Sequence, residues 1–408
     1  MRSSFTLIEL LVVIAIVAIL SAVVIITLNP AELLKQSRDS NRLSDLDILA
    51  RAVALAETEG KELGNASTTY FSIADPAATS TTATDCAGLG LGSAPSGWSY
   101  QCAASSTLRN VDGTGWVPVN FSSLSYGSPL GSLPIDPTNT TSSGYYYTYT
   151  PGGSFEVNVF MESAKYRQGG SRDAVTGDGG DFQGAVEKGS NLNLGLFSDT
   201  RGLEGWWKFE EGSGTSTADA SGNGYTGTLT SGPTWTTGKV GTGAINFAGA
   251  TNYVLVGTSG AGPFADIGTG NFTISAWATN ISGPAYRWIT SNWDGSGGHH
   301  FGMNSNGKFG GYPAGGTEVS SDYTLTSDGS WHYLVVTRSA AGTITYYVDG
   351  ASQGGSTGLT ASLIRTGDTK IGARGDGGQV WSGVIDDVRV YNRALSLPEI
   401  QAIYNASR

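Results

Sequence analysis

The sequence predicts a multidomain chain: a long N-terminal α-helix, transmembrane in its first part and amphipathic beyond, a small α+β head, and an all-β jelly-roll sandwich. Three observations lead there. Between Leu10 and Ile26 the only polar residue is Ser21. From Leu43 to Val53 apolar residues recur at helical spacing. From Gly202 onward, short strand-like runs alternate with Gly-rich turns. The expected divisions are a leader at 1–4, an apolar helix at 5–28, its amphipathic continuation at 29–64, a head and linker at 65–201, and the sandwich at 202–408.

Composition bounds the function. The 408 residues carry 60 glycines and a net charge of −11. Glycine at this level, with many Ser, Thr, Tyr and Trp, favours turn-rich β structure. The negative balance argues against direct binding of nucleic acid, which relies on Lys and Arg against phosphates. The two cysteines, Cys86 and Cys102, read as one disulfide in an exported domain; two independent buried thiols are the alternative.

The apolar run is about one hydrocarbon thickness long as a helix. It lacks the Ala-x-Ala-like cleavage site of a secretory signal, and a carboxylate, Glu9, lies in its first turns. A carboxylate at membrane depth calls for a partner. A free α-amine at Phe5, created by cleavage after Ser4, would supply one on a neighbouring subunit. The run Phe5-Thr6-Leu7-Ile8-Glu9-Leu10-Leu11-Val12-Val13-Ile14-Ala15-Ile16 resembles the class III signal of type IV pilins and type II secretion pseudopilins. The resemblance implies cutting between Ser4 and Phe5 by a prepilin peptidase, N-methylation of Phe5, and Glu9 as the assembly carboxylate. That family almost always has Gly before the cut, where this chain has Ser4; slower processing is expected.

Asn29-Pro30 is expected to kink the helix without ending it. Leu43, Leu46, Leu49, Ala50 and Val53 form an apolar stripe, with Arg42, Asp45, Asp47, Arg51 and Glu57 elsewhere. From Phe5 to about Glu59 such a helix is roughly 80 Å long; Gly60 and Gly64 mark its end. The Ser/Thr/Ala-rich 65–83 reads as surface loop. Trp116–Phe121 reads as a strand, and Tyr145–Tyr149 with Phe155–Met161 as a hairpin over Pro151-Gly152-Gly153. Asp173, Asp178 and Asp181 lie on a Gly-rich loop, either as turn residues or as oxygen ligands for Ca²⁺. The turn reading is preferred; the pseudopilin resemblance, with calcium near a C-terminal loop in some members, adds only slightly to the second.

Beyond Gly202 the strand candidates are Ala244–Phe247, Phe272–Trp277, Trp331–Thr337, Thr343–Val348 and Gly383–Tyr391. Asp349-Gly350 signals a hairpin. Ser396, Pro398 and Glu399 give the last helix a capping box. Evenly spaced strands ending in one helix argue for a jelly-roll sandwich. The opening Trp-Lys-Phe-Glu-Glu-Gly, the Asp-Ala-Ser-Gly-Asn-Gly loop, Trp331-His332-Tyr333, Tyr347-Val348-Asp349-Gly350 and the closing Ile-Asp-Asp-Val-Arg-Val-Tyr resemble laminin-G-like, concanavalin-A-like modules over 203–405. That resemblance implies a structural Ca²⁺ where first and last strands meet, with Asp219, Asn223 and Asp386 as ligands by position. The alternative is that Asp219 and Asn223 shape a turn and Asp386 caps a strand.

No paired acids alternate on one strand, so glycosidase chemistry through Glu210, Glu211 or Glu318 has no support in the pattern. His299, His300 and His332 lack zinc-site spacing. Trp293 and Trp381, in Gly-rich contexts, are candidates for stacking on sugar rings. The expectation is a non-enzymatic subunit, anchored in the cytoplasmic (inner) membrane before assembly and then part of an extracytoplasmic, cell-surface filament. It would meet prepilin peptidase, other pilin or pseudopilin subunits, and a glycan or surface ligand. The rival readings are a membrane-anchored carbohydrate-active enzyme and a purely structural spacer.

Overall fold

Leu7–Leu28 forms helix α1 and Pro30–Thr58 helix α2. The structure is a computed structural model that describes residues 7–91, 94–95, 97–248, 251–258, 260–263, 268–293, 295, 298–314, 317–339, 341–360, 362 and 367–408, with the backbone alone at 19–28, 313, 314 and 317. The expected kink is instead a break. Asn29 adopts the left-handed conformation (φ 39°) and its side chain accepts the Glu32 N–H. Pro30 opens α2 at a position where a missing N–H costs nothing. Every described side chain of α1 from Leu7 to Ala18 is exposed, Leu7 by 79% and Val13 by 49%. A helix that is apolar all round needs a lipid or protein partner.

The amphipathic stripe of α2 does what its spacing predicts. Leu46, Leu49, Ala52, Val53 and Ala56 are buried, with Leu43 and Ala50 partly so. They pack on a five-stranded sheet in which β1 (Thr68–Phe71), β2 (Ser99–Cys102), β3 (Thr148–Pro151), β4 (Phe155–Val159) and β5 (Val186–Gly189) lie in the order β2-β1-β3-β4-β5. β1 and β2 are parallel and the other pairs antiparallel. β1 corrects the expectation of a surface loop at 65–83, because all four of its residues are buried. The expected strand at Trp116–Phe121 is irregular backbone ending in a 3₁₀ turn at Phe121–Ser123. Pro118 has no N–H for a ladder, and Trp116, Val117, Val119 and Phe121 reach the core from a loop. The β3–β4 hairpin turns where expected. Cys86 and Cys102 form a disulfide. Arg42, fully buried, pairs with Asp39 of α2 at 2.7 Å and holds the helix to this head through Asp136 at 2.7 Å and Glu162 at 3.2 Å.

The sandwich contains β6 (Leu203–Trp207), β7 (Ser216–Thr217), β8 (Gly227–Thr230), β9 (Thr234–Thr237), β10 (Gly243–Ala248), β11 (Tyr253–Gly257), β12 (Phe272–Thr279) and β13 (Arg287–Ser291). It continues with β14 (His300–Met303), β15 (Lys308–Ala314), β16 (Thr317–Thr324), β17 (Trp331–Arg338), β18 (Ile344–Val348), β19 (Ala351–Ser356), β20 (Thr369–Ile371) and β21 (Ser382–Tyr391). One eight-stranded sheet runs β19-β18-β17-β12-β21-β10-β9, with β6 also on β21; the other runs β16-β15-β14-β13-β20-β11-β8-β7. Their inner faces enclose Phe247, Ile274, Ile289, Phe301, Phe309, Leu334 and Ile385. The β18–β19 turn has Asp349 (φ 52°) and Gly350 (φ 77°) both left-handed, the condition for a type I′ hairpin. Helix α3 (Leu397–Ser407) starts with the Ser396–Glu399 capping box.

Head and sandwich share a core. Phe71, Tyr100, Tyr146, Phe160 and Phe197 pack in one cluster with Trp206, Trp277, Tyr333, Tyr391, Ile400 and Ile403. Gln401 and Asn405 of α3 donate to the carbonyls of Thr141 and Ser143, each at 3.0 Å. Arg389 reaches Asp199 at 3.3 Å. The second unit is therefore docked on the first, and α3 is wedged between them.

Candidate functional site

The outward face of the β13–β14–β15–β16 region carries a row of rings. Alternation along β13 and β14 sends Ile289, Phe301 and Met303 into the core and leaves Trp288 and His300 on the other face. Trp288 stacks on His300 at 4.6 Å between centroids and on Tyr286 at 5.8 Å. Tyr312 meets His300 edge-on at 5.5 Å. At the far end Trp293 lies 6.1 Å from His300, with the Arg374 guanidinium 4.4 Å from the Trp293 ring centre. The close approach is possible because residue 311 is Gly, with φ at +152°. A Cβ there would meet the His300 carbonyl at 2.1 Å and the Trp288 ring at 3.2 Å.

A carboxylate closes the row. Glu318, exposed on β16, accepts from Tyr286 Oη at 2.9 Å, Tyr312 Oη at 3.0 Å and Asn304 Nδ2 at 2.8 Å. Burial, reinforced by the Arg374 charge, pushes His300 down to about 4, so it is a neutral ring at physiological pH. Its Nδ1 lies 2.9 Å from Ser291 Oγ. Trp288 is buried and its faces are taken by Tyr286 and His300, which makes it a support. Tyr286, Trp293, Tyr312 and Glu318 are the reachable members. Ring edges beside a carboxylate and phenol hydroxyls suit a polyhydroxylated ligand, with C–H surface on the rings and hydroxyls on the oxygens.

Trp293 and Glu318 were named from the sequence; Tyr286, Trp288, Tyr312 and Asn304 were not. Their signal is an aromatic at outward positions of neighbouring strands, which needs the strand pairing to be seen. Trp381 corrects the expectation of an exposed ring: it is fully buried and donates to the Thr279 carbonyl at 2.9 Å. Glu210 accepts from Thr242 and Gly243 and shares no partner with Glu318. His299 is buried beside Thr290. His332 Nδ1 lies 2.8 Å from Asp349 Oδ2.

Asp219, Asn223 and Asp386 do not form one donor set. Asp219 accepts from the N–H groups of Trp206, Ser221 and Tyr225 and from Ser221 Oγ. Asn223 directs its amide nitrogen at the carbonyls of Leu203 and Glu204. Both N–H and C=O of Trp206 engage this loop, so the loop lies on the edge of β6 away from β21. Asp386, on β21, accepts from Lys239 and Val240 instead. These residues do not fit a shared calcium ion. Asp173 is likewise bound by Gly169, Val175 and Thr176, and Asp178 by Gly180 and Glu187, as turn residues. Among the described residues no group of three His, Cys, Asp or Glu side chains is placed to hold a metal ion.

At the N-terminus, Ser4 and Phe5 lie outside the described residues, and Glu9 sits exposed in the first turn of α1. Among the described residues no helix is long and apolar enough to cross a membrane; the side chains of 19–28 fall outside that description.

No curated protein matches the chain. Among solved structures, domain 4 of an extracellular arabinanase from Geobacillus stearothermophilus, in complex with arabinotriose, is similar at 15% identity and a TM-score of 0.41, over 52% of this chain and 100% of that one. The binding domain of Paraclostridial mosquitocidal protein 1 is similar at 14% identity and a TM-score of 0.42, over 50% of this chain and 52% of that one. Trypanosoma rangeli sialidase is similar at 19% identity and a TM-score of 0.37, over 50% of this chain and 32% of that one. The chain thus spans about half of the second and a third of the third. Residues 1–25 match the prokaryotic N-terminal methylation motif, and residues 247–401 match the laminin-G model of the concanavalin A-like lectin/glucanases superfamily.

Proposed function

We propose that the chain is an exported, non-enzymatic filament subunit, of a type IV pilus or a type II secretion pseudopilus, that displays its sandwich as a glycan-binding module. The observation that carries this reading is the methylation-motif match at 1–25 running into a helix whose apolar side chains are exposed from Leu7 to Ala18. Residues 5–28 hold the subunit in the cytoplasmic membrane until assembly, and prepilin peptidase there cuts between Ser4 and Phe5 and methylates Phe5. In the filament the same helix packs against its neighbours, and Glu9 meets the Phe5 amine of the next subunit, which offsets the cost of burying both charges. The sandwich meets its ligand at Tyr286, Trp293, Tyr312 and Glu318. Binding rather than hydrolysis is favoured there, because the hydrogen-bond partners of Glu318 are two phenols and an amide, whereas glycoside hydrolysis uses two carboxyl groups.

Coexpression with a prepilin peptidase, followed by intact-mass analysis, tests the subunit reading. A chain beginning at methylated Phe5 supports it. A chain that keeps Met1 where a Ser4→Gly variant is cut overturns it. For the sandwich, a glycan array with the wild type and Glu318→Gln is the test. A hit that weakens about tenfold on losing the carboxylate supports the site; equal binding by both removes it.

A further inference from the structure

Where head and sandwich meet, they leave a cavity of about 400 Å³ bounded by Phe182, Val240 and Ile403 on its apolar side. Its polar wall is rich in cations. Arg389 is neutralised by Asp387 at 3.1 Å and Asp199 at 3.3 Å, and Glu210 is occupied by Thr242 and Gly243. Lys208 and Lys239 have no carboxylate partner among the described residues: their ammonium groups rest on the indoles of Trp206 at 3.9 Å and Trp277 at 5.0 Å. Arg167, from the head side, donates to the Arg408 carbonyl. Two half-buried lysines without an ion pair, with Arg167 beside them, thus converge on one cavity in a chain whose net charge is −11. Cations held by aromatic faces keep their donors available to a ligand.

We infer that this junction is a second binding site, for an organic carboxylate of monosaccharide size such as a sugar acid. The carboxylate takes charge-assisted hydrogen bonds from Lys208, Lys239 and Arg167, and the ring body lies against Phe182 and Val240. The size falls in the range of small-molecule sites. Both units contribute, so the site exists only when the sandwich is docked. It shares no residue with the Glu318 face, and its test is independent of that reading.

The experiment is calorimetric titration of the full chain in detergent with sodium glucuronate, glucose and inorganic phosphate. Glucuronate is expected to bind and glucose not. Lys208→Gln with Lys239→Gln is expected to weaken glucuronate about tenfold or more, Lys208→Arg with Lys239→Arg to retain it, and Glu318→Gln to leave it unchanged. Arg167→Gln, on the head, is expected to weaken it as well and serves if the double variant does not fold. Absence of glucuronate binding, equal binding of glucose, phosphate binding as tightly as glucuronate, or unchanged affinity in folded Lys and Arg variants each overturns the inference.

Discussion

Asp386→Asn is expected to remove a loss of stability that the wild type suffers as pH rises. Asp386 is buried in β21; its Oδ2 accepts the N–H groups of Lys239 at 2.8 Å and Val240 at 2.9 Å, while its Oδ1 has no hydrogen-bond partner. Burial, with the neighbouring Asp387 charge adding to it, pushes this carboxyl from 3.8 up to about 8. A folded-state pKa above the unfolded one means that the fold binds the proton more tightly. The contribution is complete below the unfolded value and is lost as pH climbs through the folded one. Each pH unit inside that window is worth about 1.4 kcal/mol. From about pH 5 to pH 8 the loss is on the order of 4 kcal/mol, a large fraction of ordinary domain stability. The asparagine keeps the shape and an acceptor for both N–H groups but does not titrate. Burial also raises Glu156 and Glu187, so the quantity to measure is the difference between the two chains. Denaturant unfolding of both at pH 5 and pH 8 supplies it. The variant is expected to exceed the wild type by roughly 1–2 kcal/mol at pH 5 and by several kcal/mol more at pH 8. Equal slopes in the two chains would refute the buried-acid reasoning.

Two further outcomes are expected. Replacing Cys86 and Cys102 by serine opens a bridge across a separation of 16 residues and is expected to cost about 3 kcal/mol, read as a lowered urea midpoint with a slope equal or steeper, since the freed denatured chain expands. Ile403→Ala removes a buried side chain from the core common to both units and is expected to cost about 2–5 kcal/mol. Scanning calorimetry is expected to give one transition for the wild type and two for this variant; two transitions in the wild type would contradict a common core.

The legible parts of the sequence were those whose signal is local. The stripe on α2, the Asp349-Gly350 turn and the Ser396–Glu399 cap each declare themselves within a few residues. β1 was hidden because Thr68-Thr69-Tyr70-Phe71 is buried on both sides and so lacks alternation. Trp116–Phe121 has strand-like residues, but Pro118 denies it a ladder. The break at Asn29 depended on a left-handed φ that Asn tolerates better than most residues. Glycine-rich flanks around Trp381 suggested exposure, whereas its Nε1–H is used inside the core. The ring row was not legible at all as a unit. It is assembled from β13, β14, β15, β16 and the loop at Arg374, so only the pairing of strands distant in sequence brings its members together.

The wedge of α3 between the two units governs how the molecule bears tension. The sandwich is entered at β6 and left through β21 and α3, and both ends lie against the head. A pull on the Glu318 face is therefore resisted by sliding Trp277, Ile400 and Ile403 past Phe160 and Phe197 as a block, together with the Gln401 and Asn405 bonds. A single flexible tether would give way one residue at a time, whereas this junction yields only when the whole contact fails. The sandwich is accordingly held to the head and α2 by a contact that fails as a whole.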